Sequence, residues 1–272
     1  MPCSRYLFVL LLLHSIADAQ SLRMPVSATY LRLTGYSPQF ADAFSSGGNL
    51  GALARKQTFS AGLYSEKRFQ LKELNTFNAA LVLPAASGNF AWKGTYAGSP
   101  AYNESSAGLA YGRPLGRAVM VGVQFNYFSL KTAGYGKAST VGFDAGILLQ
   151  LSPQLSAGMQ AANPVGVSWG KAGLEQLPAV YTLGLGYDLS PQVFIALEAE
   201  KTEEQPVSVN AGLQYVVAEK LVTRAGVRTA TELYYLGLGF QLFKALRIDA
   251  TVSVHPYLGT TPGLLILYSS KK

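Results

Sequence analysis

The sequence predicts an all-β protein, a transmembrane β-barrel of about fourteen antiparallel strands in the outer membrane of a Gram-negative cell. Three observations predict it. Stretches of about ten residues, in which apolar side chains alternate with small or polar ones, recur from Gln57 to Tyr268. No apolar run has the length of a membrane-spanning helix, and a bilayer admits only helices and closed sheets. Short turns alternate with longer connections along the chain, as they do in outer-membrane barrels.

The first residues predict export. Arg5 precedes an apolar run from Tyr6 to Leu13, and Ala17-Asp18-Ala19 supplies the pattern of small residues at a cleavage site. We therefore expect residues 1–19 to be a signal peptide. The single cysteine, Cys3, falls within it, so the exported chain is expected to contain no disulfide and no thiol.

Residues 20–54 precede the first strand, and we expect them to form a plug-like segment whose residues 25–54 fold inside the barrel. About fourteen strands, spaced by about 4.8 Å and tilted by about 40°, give a radius of roughly 14 Å, which wall side chains alone do not fill. The inward face is also rich in glycine, which permits close approach of another backbone. The alternative is a periplasmic tail and a water-filled lumen. The plug residues proposed for a structural or gating role are Asp42, Ser45, Asn49 and Leu53.

Residues 55–272 are predicted to form the barrel. The clearest strands are expected around Val119–Tyr127, Val141–Leu149, Leu183–Leu189, Val193–Leu197, Val207–Val217, Tyr234–Leu242, Leu246–Val254 and Leu264–Tyr268. A further strand follows the turn at Glu219 and points Arg224 and Arg228 inward. Weaker candidates lie at 57–64, 71–83, 88–96, 104–113 and 155–162. Tight turns near Ala85, Leu115, Pro153, Pro191, Glu219 and Lys244 are assigned to the periplasmic rim, and the longest connection, 163–178, to the outside. Both termini are therefore expected in the periplasm.

Aromatic residues of the predicted lipid face gather at two heights, as the two interfaces of a bilayer favour. Those beside the turn end are Tyr111, Tyr187, Tyr215, Phe240 and Tyr268, and those beside the loop end are Tyr127, Phe143, Tyr181 and Tyr234. A soluble β-sandwich has no comparable reason for such girdles.

Charged residues of the predicted lumen fall late in the chain: Glu198, Glu200, Arg224, Arg228, Arg247 and Asp249. Because opposite charges on neighbouring strands can pair away from bulk water, we expect a lumenal charge network. The alternative is a charged ring that selects solutes.

Composition limits the partners. Only 14% of the residues are charged, the net charge is +7, and glycine is abundant at 28 residues. Basic residues of the predicted outer loops are Lys67, Arg68, Lys131, Lys137 and Lys171. They would meet lipopolysaccharide phosphates or simply form a solvated surface. Outer-membrane lipid and lipopolysaccharide are thus the expected surroundings, and no motif predicts binding to nucleic acid.

Enzymatic chemistry is not expected. His255 and Ser253 lie two residues apart on one strand, without a third group to orient the histidine. Gly184-Leu185-Gly186 and Gly237-Leu238-Gly239 resemble parts of a dinucleotide-binding loop but lack its third glycine and its helix. Histidine is single in the mature chain and acidic residues are scattered, so neither a metal nor a cofactor is predicted.

Two segments carry a resemblance to a known family. The stretch from Tyr36 to Ser45, with Asp42-Ala43-Phe44-Ser45, and the stretch from Asn49 to Ala54 are similar to the amino-terminal segment of FadL-like outer-membrane proteins, especially the PorV/PorQ branch. Leu50 stands where that motif has proline, and Asn49 and Leu53-Ala54 match it most closely.

The resemblance implies a barrel with an inserted amino-terminal segment and one of two functions. The leading hypothesis is transport of hydrophobic small molecules, with a hydrophobic ligand in the lumen. The alternative is a PorV/PorQ-like accessory barrel that transports nothing and docks to a larger complex, a type IX secretion or surface-assembly machine.

Overall fold

The computed structural model describes residues 26–55, 57–169, 176–203, 205–218, 220–243 and 245–270. The predicted signal peptide, residues 1–19, lies outside the described residues, as do residues 20–25 of the predicted plug. Lys171 and the predicted turn residues Glu219 and Lys244 are outside them as well.

Strands account for most of the described chain. Those of the barrel are β1 (Ser60–Lys67), β2 (Asn75–Ala85), β3 (Gly88–Gly98), β4 (Tyr102–Pro114), β5 (Val119–Thr132), β6 (Gly136–Gln150), β7 (Leu155–Ala162), β10 (Val180–Asp188), β11 (Val193–Thr202), β12 (Ser208–Ala218), β13 (Leu221–Arg228), β14 (Leu233–Phe243), β15 (Leu246–His255) and β16 (Gly259–Ser269). Between β7 and β10, β8 (Val167–Ser168) pairs with β9 (Gln176–Leu177). The helix α1 (Tyr30–Leu33) precedes the barrel, and 3-10 turns span Thr34–Tyr36, Ser45–Gly47, Leu50–Ala54, Arg68–Gln70 and Lys72–Leu74.

The sheet closes on itself. Each barrel strand pairs antiparallel with its neighbours along the chain, and β1 pairs with β16 from Ser60 opposite Ser269 to Glu66 opposite Gly263. Closure leaves no sheet edge, so every strand finds its hydrogen-bond partners within the wall. The predicted closed barrel of about fourteen antiparallel strands is confirmed.

The two faces of the wall differ as the period-two pattern predicts. Along β10, buried and exposed residues alternate without interruption, with Leu183 and Leu185 exposed and Thr182 buried. On β5, Phe125 is 70% exposed while its neighbours Gln124 and Asn126 are buried. The outer face is therefore apolar and the inner face polar or small, which is the reverse of a soluble barrel.

The described residues contain no helix with both the length and the apolar character needed to cross a bilayer.

The first connection differs from the sequence prediction. A strand was expected to begin near Leu71, but β2 begins at Asn75, and 3-10 turns occupy the residues after β1. Lys72–Leu74 form a 3-10 turn, in which the Leu74 amide donates to the Leu71 carbonyl at 3.3 Å, so these residues lack strand geometry. The start predicted for this strand is therefore wrong.

β5 and β6 form a long hairpin where the sequence predicts an outer loop. β5 continues past Tyr127 and β6 begins before Val141, and the two strands meet at a turn with Gly134 and Gly136, whose φ values are 82° and 97°. Lys131 and Lys137, expected in an outer loop, lie opposite each other in this hairpin and are exposed.

Candidate functional site: the lumen and its inner segment

Residues 26–55, which we call the inner segment, are almost entirely buried and contact strands around the barrel. The Val26 amide donates to Glu66 of β1 at 2.8 Å. Asn49 Nδ2 donates to the Ile147 carbonyl of β6 at 3.1 Å, and Tyr36 donates its hydroxyl proton to Glu198 of β11 at 3.3 Å. The segment thus contacts β1, β6 and β11, which lie far apart in the order of strands around the closed wall.

Glycines of the wall make room for this segment. A Cβ atom built on Gly122 of β5 would overlap the carbonyl oxygen of Leu50 and lie 2.5 Å from its carbonyl carbon. One on Gly146 of β6 would lie 2.9 Å from the Leu50 nitrogen, and one on Gly184 of β10 would run into the ring of Tyr36. Any other residue at these positions would collide with the inner segment, so glycine here is a packing requirement.

Asn49 fixes the turn Leu50–Ala54 to two strands. Its Oδ1 accepts from the Gly51 amide at 2.8 Å, while its Nδ2 donates to the carbonyls of Ile147 and Met159 at 3.1 and 3.2 Å. Leu53, which is 1% exposed, offers its carbonyl to Asn89 Nδ2 of β3 at 2.7 Å. Asn49 and Leu53, two of the residues that carry the resemblance described above, thus hold the turn against the wall.

Asp42 and Ser45 shape the preceding turn. Asp42 Oδ1 accepts from the Phe44 amide at 2.9 Å, and Ser45 Oγ accepts from the Asp42 amide at 2.7 Å. The second carboxylate oxygen of Asp42 accepts from Arg247 of β15 at 2.9 Å. Asp42 therefore combines a local cap with an ion pair to the wall.

A first charge group joins the inner segment to β11 and β13. Arg32 Nε lies 2.7 Å from Glu198 and its Nη1 lies 2.5 Å from Glu200. Arg228 Nη2 pairs with the other oxygen of Glu200 at 2.6 Å. Arg32 of the segment thus pairs with both carboxylates, and Glu200 also pairs with Arg228 of the wall.

A second charge group lies on β13 and β15. Asp249 pairs with Arg224 at 3.1 Å and with Arg247 at 3.0 Å, and accepts from the Tyr30 hydroxyl at 3.0 Å. The guanidinium of Arg224 also stands 4.6 Å from the centre of the Tyr30 ring. The six wall residues predicted for a charge network therefore form two groups, each completed by the inner segment.

Sequence reasoning missed the partners that the inner segment supplies, above all Arg32 and Tyr30. A signal for Arg32 existed, because it is the only charged residue between Val26 and Ala41. A lone charge in a segment expected to be buried requires a partner.

A cavity of about 390 Å³ lies between the inner segment and the rim that carries Phe69 and Leu258. Its lining mixes apolar side chains, such as Leu50, Phe128 and Val180, with many amides and hydroxyls and with the amine of Lys93. The volume lies within the range of small-molecule sites.

His255 and Ser253, weighed above as a possible catalytic pair, lie on β15. His255 Nδ1 accepts from the amides of Tyr257 and Leu258, both at 3.2 Å, and no hydrogen bond joins it to Ser253 within the described chain. The described residues also contain no cluster of three or more His, Cys, Asp or Glu suited to a metal ion.

No protein-family model and no curated protein sequence matches this chain. Among solved structures, it is similar to the toluene transporter TbuX of Ralstonia pickettii, with a TM-score of 0.61 and 12% identity over 84% of this chain and 93% of that chain. A FadL homologue of Pseudomonas aeruginosa gives a TM-score of 0.63 with 13% identity over 91% and 99%, and the toluene transporter TodX of Pseudomonas putida gives 0.59 with 12% over 82% and 92%.

At these identities the likeness concerns the fold. The neighbours include barrels of the FadL type, in agreement with the resemblance seen in the inner segment, whereas the PorV/PorQ branch stays a prediction. The chain has the fold of an outer-membrane β-barrel.

Proposed function

We propose that this chain is an outer-membrane transporter for small, largely hydrophobic molecules, and that the inner segment is its gate. The observation that carries the proposal is the match between the glycine-lined wall and the segment that packs on it, with a ligand-sized cavity on one side. Gly122, Gly146 and Gly184 leave space on the wall that the segment fills closely, and any larger side chain there would collide with it.

The substrate class rests on two supports. Proteins of similar fold are described as toluene transporters and as a monoaromatic hydrocarbon channel. The cavity itself offers apolar surface from Leu50, Phe128, Val180 and Leu233, beside polar groups that would suit one or two polar atoms of a ligand.

Passage requires the inner segment to shift. Its hydrogen bonds and ion pairs tie it to β1, β6 and β11, so the segment separates the cavity from the opposite rim. Movement of the segment has to break the ion pairs that Arg32 and Asp42 form with the wall. These ion pairs would therefore hold the gate closed.

A reversible lock tests this function. Ser27 Oγ and Thr251 Oγ1 lie 3.0 Å apart, so Ser27→Cys with Thr251→Cys would bring two thiols within reach of a disulfide. In a Gram-negative host, uptake of labelled toluene should fall when the pair is oxidised and return on reduction. The single Thr251→Cys variant is the control for the substitution itself.

Equal uptake by the oxidised and the reduced pair would contradict gating by the inner segment. Absence of uptake by the unmodified protein, together with co-purification of a large partner, would instead favour the PorV/PorQ-like accessory role.

A further inference from the structure

Lys93 of β3 is the one cation of the cavity lining that forms no ion pair within 4.0 Å in the described chain. The other cations that face the cavity are each paired: Arg32 and Arg228 with Glu200, and Arg68 with Glu66. Lys93 also donates none of the hydrogen bonds that join the described residues. An ammonium group inside a protein normally has such partners.

The sheet register explains why Lys93 has none. Its partners on the adjacent strands are Ala80 of β2 and Gly108 of β4, and neither side chain can accept a hydrogen bond. Along β3, the neighbours on the same face are Ala91 and Thr95. The wall around Lys93 therefore consists of small or neutral residues.

The acidic residue that interacts electrostatically with Lys93 is Asp144 of β6, whose carboxylate lies beyond the 4.0 Å of an ion pair with the ammonium group. Its two oxygens already accept from Asn126 Nδ2 and from the Asn163 amide, both at 2.9 Å. Amide groups thus donate a hydrogen bond to each oxygen of the Asp144 carboxylate, which forms no ion pair within the described chain.

Neutral polar groups accompany Lys93. Thr95 and Ser106 lie opposite each other on β3 and β4, and both line the cavity. The amide side chains of Gln124 and Asn126 lie over Gly108, where a Cβ would come within 2.8 and 2.6 Å of their polar atoms. A cation beside hydroxyl and amide groups is the usual composition of a site for a small anion.

We infer that Lys93 is the centre of a binding site for a small oxyanion, a carboxylate or a phosphate group, within the cavity. The ligand would place its oxygen atoms at the Lys93 ammonium, with the Ser106 hydroxyl as a hydrogen-bond donor. The Thr95 hydroxyl already donates to Asn78 Oδ1 at 2.8 Å. This ligand is hydrophilic and differs from the hydrophobic substrate proposed above. Because the site can be tested by binding alone, either proposal can fail while the other holds.

The experiment follows the lysines directly by NMR. Reductive methylation with ¹³C-formaldehyde keeps lysines charged and gives each dimethylamine a signal, and the signal absent from Lys93→Arg identifies Lys93. The full-length protein in detergent is titrated with sodium acetate and separately with inorganic phosphate, against sodium chloride at equal ionic strength. A saturable shift of the Lys93 signal with acetate indicates a carboxylate site, and one with phosphate alone indicates a phosphate site.

Matched variants separate the site from general charge effects. Lys131→Gln removes an exposed lysine at the end of β5 and should leave the shift of Lys93 unchanged. In isothermal titration of unmethylated protein, Lys93→Gln should abolish anion binding and Lys93→Arg should retain it. Lysine signals that move no further with acetate or phosphate than with chloride would overturn the inference, and so would undiminished binding by a folded Lys93→Gln.

Discussion

Replacing Gly122 with alanine is expected to loosen the inner segment while the barrel stays closed. The new methyl group would overlap the Leu50 carbonyl oxygen and stand 2.5 Å from its carbonyl carbon and 2.9 Å from its Cβ. All three atoms belong to the inner segment. Since β5 is paired along its whole length with β4 and β6, the segment gives way before the strand does.

The size of the effect follows from the overlap. Leu50 must retreat by roughly 1 Å before ordinary contact distances return. Overpacking of this kind costs about 1–3 kcal/mol. If the closed arrangement alone carries this cost, the displaced fraction of the inner segment rises by about 5- to 150-fold. Gly237→Ala is the matched control, because a Cβ there would find its nearest neighbours at 3.5 Å, an ordinary contact.

Trypsin measures the displaced fraction. Arg32 lies in α1 and is 7% exposed, so cleavage after it requires displacement of the segment, whereas Lys131 is exposed and supplies an internal reference. When the segment returns faster than the protease cuts, the cleavage rate follows the displaced fraction. Mass spectrometry of both products should show faster cleavage after Arg32 in Gly122→Ala only. Equal rates in the two glycine variants would refute the reasoning.

Three further predictions concern stability, measured as urea unfolding followed by tryptophan fluorescence in detergent. Arg32→Gln leaves Glu198 without its cation and should lower the free energy of unfolding by about 3–5 kcal/mol. Adding Glu198→Gln should restore part of this loss. A double variant whose loss equals the sum of the two single losses would contradict the pairing. Phe125→Lys on the lipid face of β5 should cost about 2–4 kcal/mol, whereas Tyr257→Lys in the exposed turn after β15 should cost at most about 1 kcal/mol. Asn49→Asp keeps the shape of the side chain but loses two donated hydrogen bonds, so a loss of about 1–3 kcal/mol is expected, and wild-type stability would show that these bonds are dispensable.

The strands of the wall could be predicted because their signal is local. On β10, each residue's neighbours at positions two away share its face, so alternation alone separates Leu183 from Thr182. The same parity places Gly122 and Gly184 on the inward face. It fails at Lys72–Leu74, where a 3-10 turn takes the place of the predicted start of a strand. The connection just before this turn is held by the distant β16, where the Phe69 amide donates to Thr261 Oγ1 at 3.0 Å.

The candidate site was predictable only in part. The sequence predicts Glu198, Arg224 and Asp249 in a charge network, because alternation places all three on the inward face and their charges are opposite. Their partners were not, since Arg32 reaches Glu198 across more than 160 positions of the chain. The site of Lys93 also escaped notice, because the absence of a partner depends on which residues stand beside it in the closed sheet.

The sequence by itself determined the period of the strands, the apolar outer face and the small, polar inner face, because each depends on residues one or two positions apart. Only the tertiary structure decided which glycines contact Leu50 or Tyr36, which carboxylates pair with Arg32, and that Lys93 lines the cavity without an ion pair. These are properties of a closed wall around an inner segment, where contacts join residues far apart in the chain and no local pattern encodes them.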